Sequence, residues 1–559
     1  MDIRRTILWM ILTFSLLLLW NNWQTYNGKP SMFGASLTSQ TTDPATQAQQ
    51  PVQAADASVP NAAAVTPAAV STVPGEQTPA PAQSQHVEVS TDVLRLTFDT
   101  VGAQLVRAEL PQYTIPPDSD EPFTLLDRRP GYTYVAQTGV VGAPAGQSWP
   151  THLTPFQYVG QAQRNGRTEV SFEAESGGIR VVKTYSLSPD SYDIVVRHDI
   201  HNGGDTAIQP SVYLQLERDG NEPAGGSSFY RTFTGPAVYS AEDKYQKIDF
   251  SDLDKGKAGY TRDADNGWIG MVQHYFATAW VPPQGVQRHN EALRLGDNLY
   301  AIRTLAGAGA IEPGQSTTVE AHLWTGPQDQ QAMGDIAPGL ELVVDYGWLT
   351  IIAKPLFKLM TWLHTLLGNW GWTIVALTVL IKLAFYPLSA ASYRSMARMK
   401  KFTPRMQALR EKYGDDKAKM NQAMMELYRN EKINPLGGCL PMVVQIPVFI
   451  ALYWVLLGSV EMRGAPWILW IQDLSARDPW FILPAVMMAT MFLQIKLNPT
   501  PPDPMQARIM MIMPLVFGGM MFLFPAGLVL YWVVNNILSI AQQRFVMHQI
   551  DKAEAAGKR

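Results

Sequence analysis

Lys382 is the residue placed for the most unusual chemistry. Trp372 to Ile381 is a run without a charge, Trp-Thr-Ile-Val-Ala-Leu-Thr-Val-Leu-Ile, and Leu-Ala-Phe-Tyr-Pro follows the lysine. An ammonium facing lipid near a bilayer centre costs roughly 2.5–3.5 kcal/mol on insertion scales. A cation at that depth faces a water-filled cavity or a protein partner. Lys382 therefore marks a polar cavity inside the membrane as the expected working site. Other chemistries find little support. The chain has no Walker A loop, no Gly-x-Ser-x-Gly elbow and no His-Glu-x-x-His, so neither enzyme, cofactor nor metal site is expected. His198 and His201 are three apart in an alternating segment. Their rings point to opposite faces of a strand, which is poor metal geometry, and they read as ordinary surface histidines. The single cysteine, Cys439, excludes an intrachain disulfide, and a net charge of −4 lacks the basic footprint of a nucleic-acid binder.

The elements that must position Lys382 are membrane spans. The mean hydropathy of −0.06 hides a split, because residues 341–550 hold nearly all the long apolar runs. Ile7–Trp20 follows Arg4 and Arg5 and is succeeded by Asn21-Asn22-Trp23, not by small residues, so it reads as an uncleaved anchor. Trp370–Leu388 is the second expected span, Leu440–Val460 the third, and Trp480–Ile495 the fourth, stopped by Lys496. Ile509–Gln543 is 35 residues without a charge, and one span needs only about 20. Phe524-Pro525-Ala526-Gly527 divides that run into a fifth and a sixth span. Between Ser389 and Pro435 there are 11 Lys/Arg against five acids. The positive-inside rule then puts this loop and both termini in the cytoplasm and residues 24–368 outside.

Residues 25–85 are rich in Ala, Pro, Thr, Gln and Ser, a composition expected to form a flexible tether. From residue 86 apolar and polar residues alternate, with turn signals such as Asn165-Gly166 and Asn202-Gly203. The expected fold of 86–335 is a large β-sandwich. Residues 336–368 read as an interfacial amphipathic helix over Leu342–Leu367, with Pro355 as a kink or a helix start. In the cytoplasmic loop, Met396, Met399, Phe402, Met406, Leu409 and Tyr413 recur at helical steps, as do Met420, Met424 and Leu427. This predicts a helical hairpin over 389–435, with Pro404 interrupting its first arm. Its basic face suits anionic lipid head groups, ribosomal RNA or an acidic partner. The expected architecture is a polytopic α-helical membrane protein with six transmembrane helices, a large periplasmic β-sandwich and a cytoplasmic helical hairpin. Residues 1–24 are the anchor, 369–550 a five-helix core and 551–559 a cytoplasmic tail.

Several stretches resemble the YidC/Oxa membrane insertases of Gram-negative bacteria. They are Asn434-Pro435-Leu436-Gly437-Gly438-Cys439-Leu440-Pro441, Gly368-Asn369-Trp370-Gly371, Tyr386-Pro387-Leu388, Gln445-Ile446-Pro447 and Gly527-Leu528-Val529-Leu530-Tyr531-Trp532. Gly267-Trp268 and Tyr275-Phe276-Ala277-Thr278-Ala279-Trp280 resemble the periplasmic domain of that family. The resemblance implies a hydrophilic groove open to cytoplasm and lipid and closed to the outside. Lys382 occupies the position of its basic residue, and Thr378, Gln445, Tyr531 and Asn535 line it. The family pattern has arginine at that position; lysine keeps the charge and loses the bidentate fork. The resemblance also implies a hydrophobic slide around Ile446 and Met521. Partner contacts with the ribosome or the Sec translocon would use Arg394, Arg398, Lys400, Lys401 and Asp503. The implied clients are nascent membrane proteins, with membrane lipids as further partners and no small-molecule substrate. Two other readings remain open from the residues alone. One is a secondary transporter or channel, since an intramembrane cation also marks solute paths. The other is a membrane-anchored periplasmic carbohydrate-binding protein.

Overall fold

The computed structural model describes residues 58–60, 84–114, 121–223, 232–413, 416–430, 440–498 and 504–557. The anchor over 1–24, most of the tether and Asp503 lie outside the described residues, as does the side chain of Lys400. The chain divides into two compact units, one of residues 1–109 and 124–325 and the other of 110–123 and 326–559.

The first unit is a sandwich of two nine-stranded sheets. One sheet runs, in spatial order, through β1 (His86–Ser90), β2 (Arg95–Asp99), β3 (Gln104–Thr114), β4 (Pro122–Arg129), β5 (Tyr132–Val141), β10 (Ser211–Asp219), β17 (Leu299–Gly307), β16 (Arg288–Gly296) and β13 (Asp263–Ala264). The other runs through β12 (Lys244–Lys247), β11 (Gly235–Ser240), β14 (Trp268–Gln273), β15 (Phe276–Val281), β18 (Ser316–Pro327), β9 (Asp193–Asn202), β8 (Ile179–Leu187), β7 (Arg167–Ser176) and β6 (Gln157–Arg164). A short helix, α1 (Phe250–Asp254), interrupts the strands.

Local chemistry fixes the hairpins. Asn165 (φ 52°) and Gly166 (φ 74°) join β6 to β7 with Arg164 opposite Arg167, the two-residue turn whose twist matches that of the strands. Gly177 (φ 59°) and Gly178 (φ 76°) do the same between β7 and β8. Alternation then sorts the faces: Thr168, Val170, Phe172 and Ala174 of β7 point inward. Phe172 and Phe98 lie 5.7 Å apart by ring centroid, and Phe98 and Tyr185 4.6 Å. Strands β14 and β15 are buried along their whole length. That explains their mostly apolar character, with Trp268 and Trp280 in the core.

One sequence expectation fails here. His198 is fully buried and its Nε2 lies 2.7 Å from Thr138 Oγ1; the outward-facing histidine is His201. Alternation separates the two faces of a strand without saying which is the core. Beside His198, Lys183 is also fully buried and donates to the carbonyl oxygens of Gly102 and Thr138, both at 2.7 Å. Its ammonium sits 4.5 Å from the centre of the Phe156 ring. Burial pulls the Lys183 pKa down to about 7, and burial with the Lys183 charge pulls His198 down to about 3. Between pH 7 and 10.5 the unfolded chain therefore holds a proton at Lys183 that the folded chain has released. Sandwich stability attributable to Lys183 rises with pH across that window, by up to about 1.4 kcal/mol per unit. Melting followed by tryptophan fluorescence checks this: the difference between the wild type and Lys183→Met should shift in favour of the wild type from pH 7 to 10.

The second unit is helical: α2 (Gln330–Ile336), α3 (Thr350–Leu367), α4 (Trp370–Ala384), α5 (Tyr386–Tyr413), α6 (Lys417–Asn430), α7 (Leu440–Gly458), α8 (Ile482–Leu497), α9 (Pro504–Met521) and α10 (Ala526–Gly557). Leu342–Leu367 is not one helix. Residues 340–349 form two 3-10 turns, and α3 begins at Thr350 and contains Pro355. Ala353, Met360 and Leu363 of α3 are buried, while Ile351, Trp362 and Leu366 are exposed. Gly368 (φ 64°) ends α3 in the left-handed conformation that glycine adopts without a Cβ penalty. Asn369 then caps α4 by accepting from Trp372 N at 3.0 Å, so Gly368-Asn369 is a stop followed by a start.

The expected second span is broken. Helices α4 and α5 meet at Phe385 with a 64° bend. Pro387 has no N–H to continue the ladder, and proline disfavours helical geometry at the preceding Tyr386. Pro404, by contrast, does not interrupt α5, which forgoes one hydrogen bond and continues. Among the described residues, no single helix is long and apolar enough to cross a membrane; the bent pair passes together. Three shorter apolar helices are Val444–Gly458, Ile482–Leu497 and Ala507–Met521.

Candidate functional site

The polar residues of the helical unit gather on α10. Asn535, Ser539 and Gln542 fall at i, i+4 and i+7, one face of a helix whose neighbouring residues are mostly apolar. Lys382, near the end of α4, reaches that face. Its Nζ donates to Ser539 Oγ at 2.7 Å, and the lysine is 5% exposed. Ser539 Oγ in turn donates to Asn535 O at 2.7 Å. Gln542 Nε2 donates to the Lys382 carbonyl at 3.2 Å, occupying an oxygen that the broken helix leaves without a normal successor. Tyr393 of α5 donates to Ser539 O at 3.3 Å. Gln445 of α7 donates from Nε2 to Asn535 Oδ1 at 3.1 Å. Four helices thus contribute polar groups to one patch.

Of the expected groove residues, Lys382, Gln445 and Asn535 join this network. Thr378 is buried one turn before Lys382, and its hydroxyl donates to Ile374 O at 2.7 Å. Tyr531 is buried one turn before Asn535 and stacks on Phe449 of α7, with centroids 6.1 Å apart and planes 20° apart. Ser539, Gln542 and Tyr393 escaped sequence reasoning. The i, i+4, i+7 polar spacing in the last apolar run was the available signal for the first two. A second polar row of α10, Asn536 and Gln543, meets α8: Asn536 donates to Thr490 at 3.3 Å and Gln543 accepts from Gln494 at 2.6 Å.

The two slide residues part company. Ile446 is 48% exposed, next to Gln445, whereas Met521 is buried. The exposed apolar surface of α9 is instead made by Met511, Ile512, Met513, Leu515 and Val516. Packing of the α9 C-terminus above the turn into α10 takes Met521 inward. Arg394, Arg398 and Lys401 are exposed on α5.

Hydrogen bonds between membrane helices are worth about 0.6–2 kcal/mol each. The Lys382–Ser539 contact is expected to give a coupling of about 1 kcal/mol. A double-mutant cycle of Lys382→Ala and Ser539→Ala, read by unfolding in micelles, measures it; additive effects would remove Ser539 as the partner.

Comparison with known proteins identifies the family. The YidC periplasmic domain family matches residues 86–359, and the 60Kd inner membrane protein family matches residues 362–553. A membrane protein insertase YidC from Bordetella avium is 68% identical over 99% of this chain and 100% of its own length. The chain belongs to the YidC family. Another member, from Cupriavidus metallidurans, is 52% identical over 100% of this chain and 99% of its own. Among solved structures, an active YidC insertase with its first transmembrane domain resolved is 18% identical and covers 82% of this chain and 93% of its own, with a TM-score of 0.37. That superposition is loose, and membership of the YidC family rests on the sequence matches. The large two-sheet sandwich is the periplasmic domain of the family, an inner-membrane family by its description.

Proposed function

We propose that this chain is a membrane protein insertase and chaperone, not an enzyme, which inserts and helps fold integral proteins of a bacterial inner membrane, alone or with the Sec translocon. The observation that carries the mechanism is Lys382, held by Ser539 within a polar patch to which four helices contribute. The proposed path is a hydrophilic groove along that patch, lined by Lys382, Thr378, Gln445, Tyr531 and Asn535. A client's short polar terminus enters it and crosses less low-dielectric material than the ~30 Å of a full hydrocarbon core. Acidic groups on that terminus meet the ammonium. The client's apolar segment, each residue favoured in lipid by a few tenths of a kcal/mol, then leaves sideways over Ile446 and the exposed face of α9.

The topology belonging to this reading has six spans. The first is the 1–24 anchor and the others lie in the 369–550 core, with α3 along the outer interface. Both termini and the 389–435 hairpin are cytoplasmic, and residues 24–368 are periplasmic. Exposed apolar side chains on α4, α7, α8 and α9 support contact with lipid: Leu383, Val444, Phe492 and Val516 are examples. Arg394, Arg398, Lys400, Lys401 and Asp503 are the proposed contacts for the ribosome, the Sec translocon or anionic lipid. Reconstitution tests the proposal. Liposomes carrying the chain should insert a radiolabelled single-span client, read by protease protection, well above chain-free liposomes. Equal protection in both would refute it.

A further inference from the structure

A cavity of about 390 Å³ opens on the β10/β17 sheet of the sandwich, lined by residues the proposed groove does not use. Gln104 and Gln137 in its wall belong to a cross-strand polar ladder. Arg303 Nε donates to Glu291 at 2.6 Å and Arg303 Nη1 to Gln215 at 3.5 Å. Gln215 donates to Gln137 at 2.7 Å, and Gln137 to Gln104 at 3.1 Å. Gln104, Gln137, Gln215 and Arg303 are buried, Glu291 is partly exposed, and each bonds its neighbour, so the ladder is a preformed surface.

The chain's own Ser58 forms part of the cavity wall, so residues 58–60, far in sequence from the strands, dock at its edge. His152 Nε2 lies 3.2 Å from Ser58 Oγ, and Arg303 Nη1 donates to Ser58 O at 3.4 Å. The backbone N–H of His152 donates to Tyr213 Oη at 3.0 Å, and the Tyr213 hydroxyl also contacts His152 Nδ1. The His152 ring thus bridges the Tyr213 hydroxyl and Ser58 Oγ, donating to one and accepting from the other when neutral. Val59 packs against Val141, Tyr213 and Leu305. Pro60 is buried, and it brings no N–H that would need a partner. One residue is thus read by its hydroxyl and its carbonyl and the next by its apolar bulk.

We propose that this cavity is a peptide-recognition pocket for a hydroxyl–Val–Pro segment, and that Ser58-Val59-Pro60 is its ligand in cis, latching the N-terminal segment onto the sandwich. The latch also regulates the pocket, because a segment of the same chemistry on another protein gains access only when the latch leaves. A tethered ligand acts at an effective concentration of about 1 mM, which weakens a competitor with a Kd near 0.1 mM by about tenfold.

The test uses the full-length chain in micelles and a fluorescein-labelled peptide of residues 55–63, Ala-Asp-Ala-Ser-Val-Pro-Asn-Ala-Ala. A second hydroxyl–Val–Pro triplet, Thr72-Val73-Pro74, is present in the chain, so the opened variant carries Val59→Asp, Pro60→Gly and Val73→Asp. The sandwich strands themselves are unaltered, so the opened variant should still fold cooperatively, its melting lowered only by the loss of the latch. Fluorescence anisotropy should show the peptide binding the opened variant at least tenfold tighter than the wild type. A peptide with aspartate in place of valine should not bind. Equal binding to both proteins, no binding to the opened variant, or occupation of the cavity by a monosaccharide with no peptide binding would each overturn the proposal.

Discussion

Replacing Lys382 by alanine should lower insertion of a single-span client with an acidic translocated tail by tenfold or more, while a client with a neutral tail stays within about threefold. Lys382 donates to Ser539 and is almost fully buried, in surroundings where a charge-assisted hydrogen bond counts for about 1.5–3 kcal/mol. A loss of 1.4 kcal/mol is a factor of ten. Neutral tails never draw on that term. Lys382→Arg keeps the charge and should retain most activity with both clients. Protease protection in proteoliposomes measures all four combinations. A uniform loss across client classes would assign Lys382 a packing role in place of an electrostatic one.

Gly371→Val should produce the opposite pattern, a loss shared by every client. A Cβ at Gly371 would stand 2.1 Å from Cδ1 of Trp467, whose indole is also held edge-on by Trp372 with centroids 5.7 Å apart. A rigid ring cannot yield as the end of a flexible chain does. The start of α4 must shift, and overpacking of this kind costs about 1–3 kcal/mol. Because α4 carries Lys382 three turns further on, the groove is displaced as a whole. Unfolding in micelles should show the destabilisation, and insertion should fall alike for acidic and neutral tails. Unchanged stability would show that Trp467 moves aside freely. The two substitutions sit on the same helix and separate the charge from its scaffold.

The sandwich was legible in the sequence because its signals are local. Asn165-Gly166 supplies the positive φ values of its turn, and period-two burial follows in β7. Lys382 stood out for the same kind of reason, as a charge in an apolar run. What surrounds it did not. Ser539 is 157 residues away, and neutral serines and glutamines occur in many apolar helices without marking a site. His198 and Lys183 show the same limit inside the sandwich: a charged or titratable residue on an alternating strand reads as the outer face until the opposite face proves to be the wet one. The prolines divided according to context. Pro387 falls where a helix is already ending and fixes a bend, whereas Pro404 costs α5 one bond in a long helix that absorbs it. Met521, which the resemblance implies for a hydrophobic slide, is buried, and methionine suits either environment.

Chemical rescue at position 382 tests the electrostatic groove most directly. Cys439 is the one native cysteine, so a Cys439→Ser, Lys382→Cys chain offers a single thiol. In inside-out vesicles, aminoethyl methanethiosulfonate added from the cytoplasmic side couples to that thiol as a mixed disulfide ending in an ammonium. Insertion of the acidic-tail client should return to at least half the wild-type level, and the neutral ethyl reagent should restore nothing. Equal rescue by both reagents, or a thiol that neither reaches from the aqueous side, would contradict a cation accessible from the cytoplasm at the centre of this mechanism.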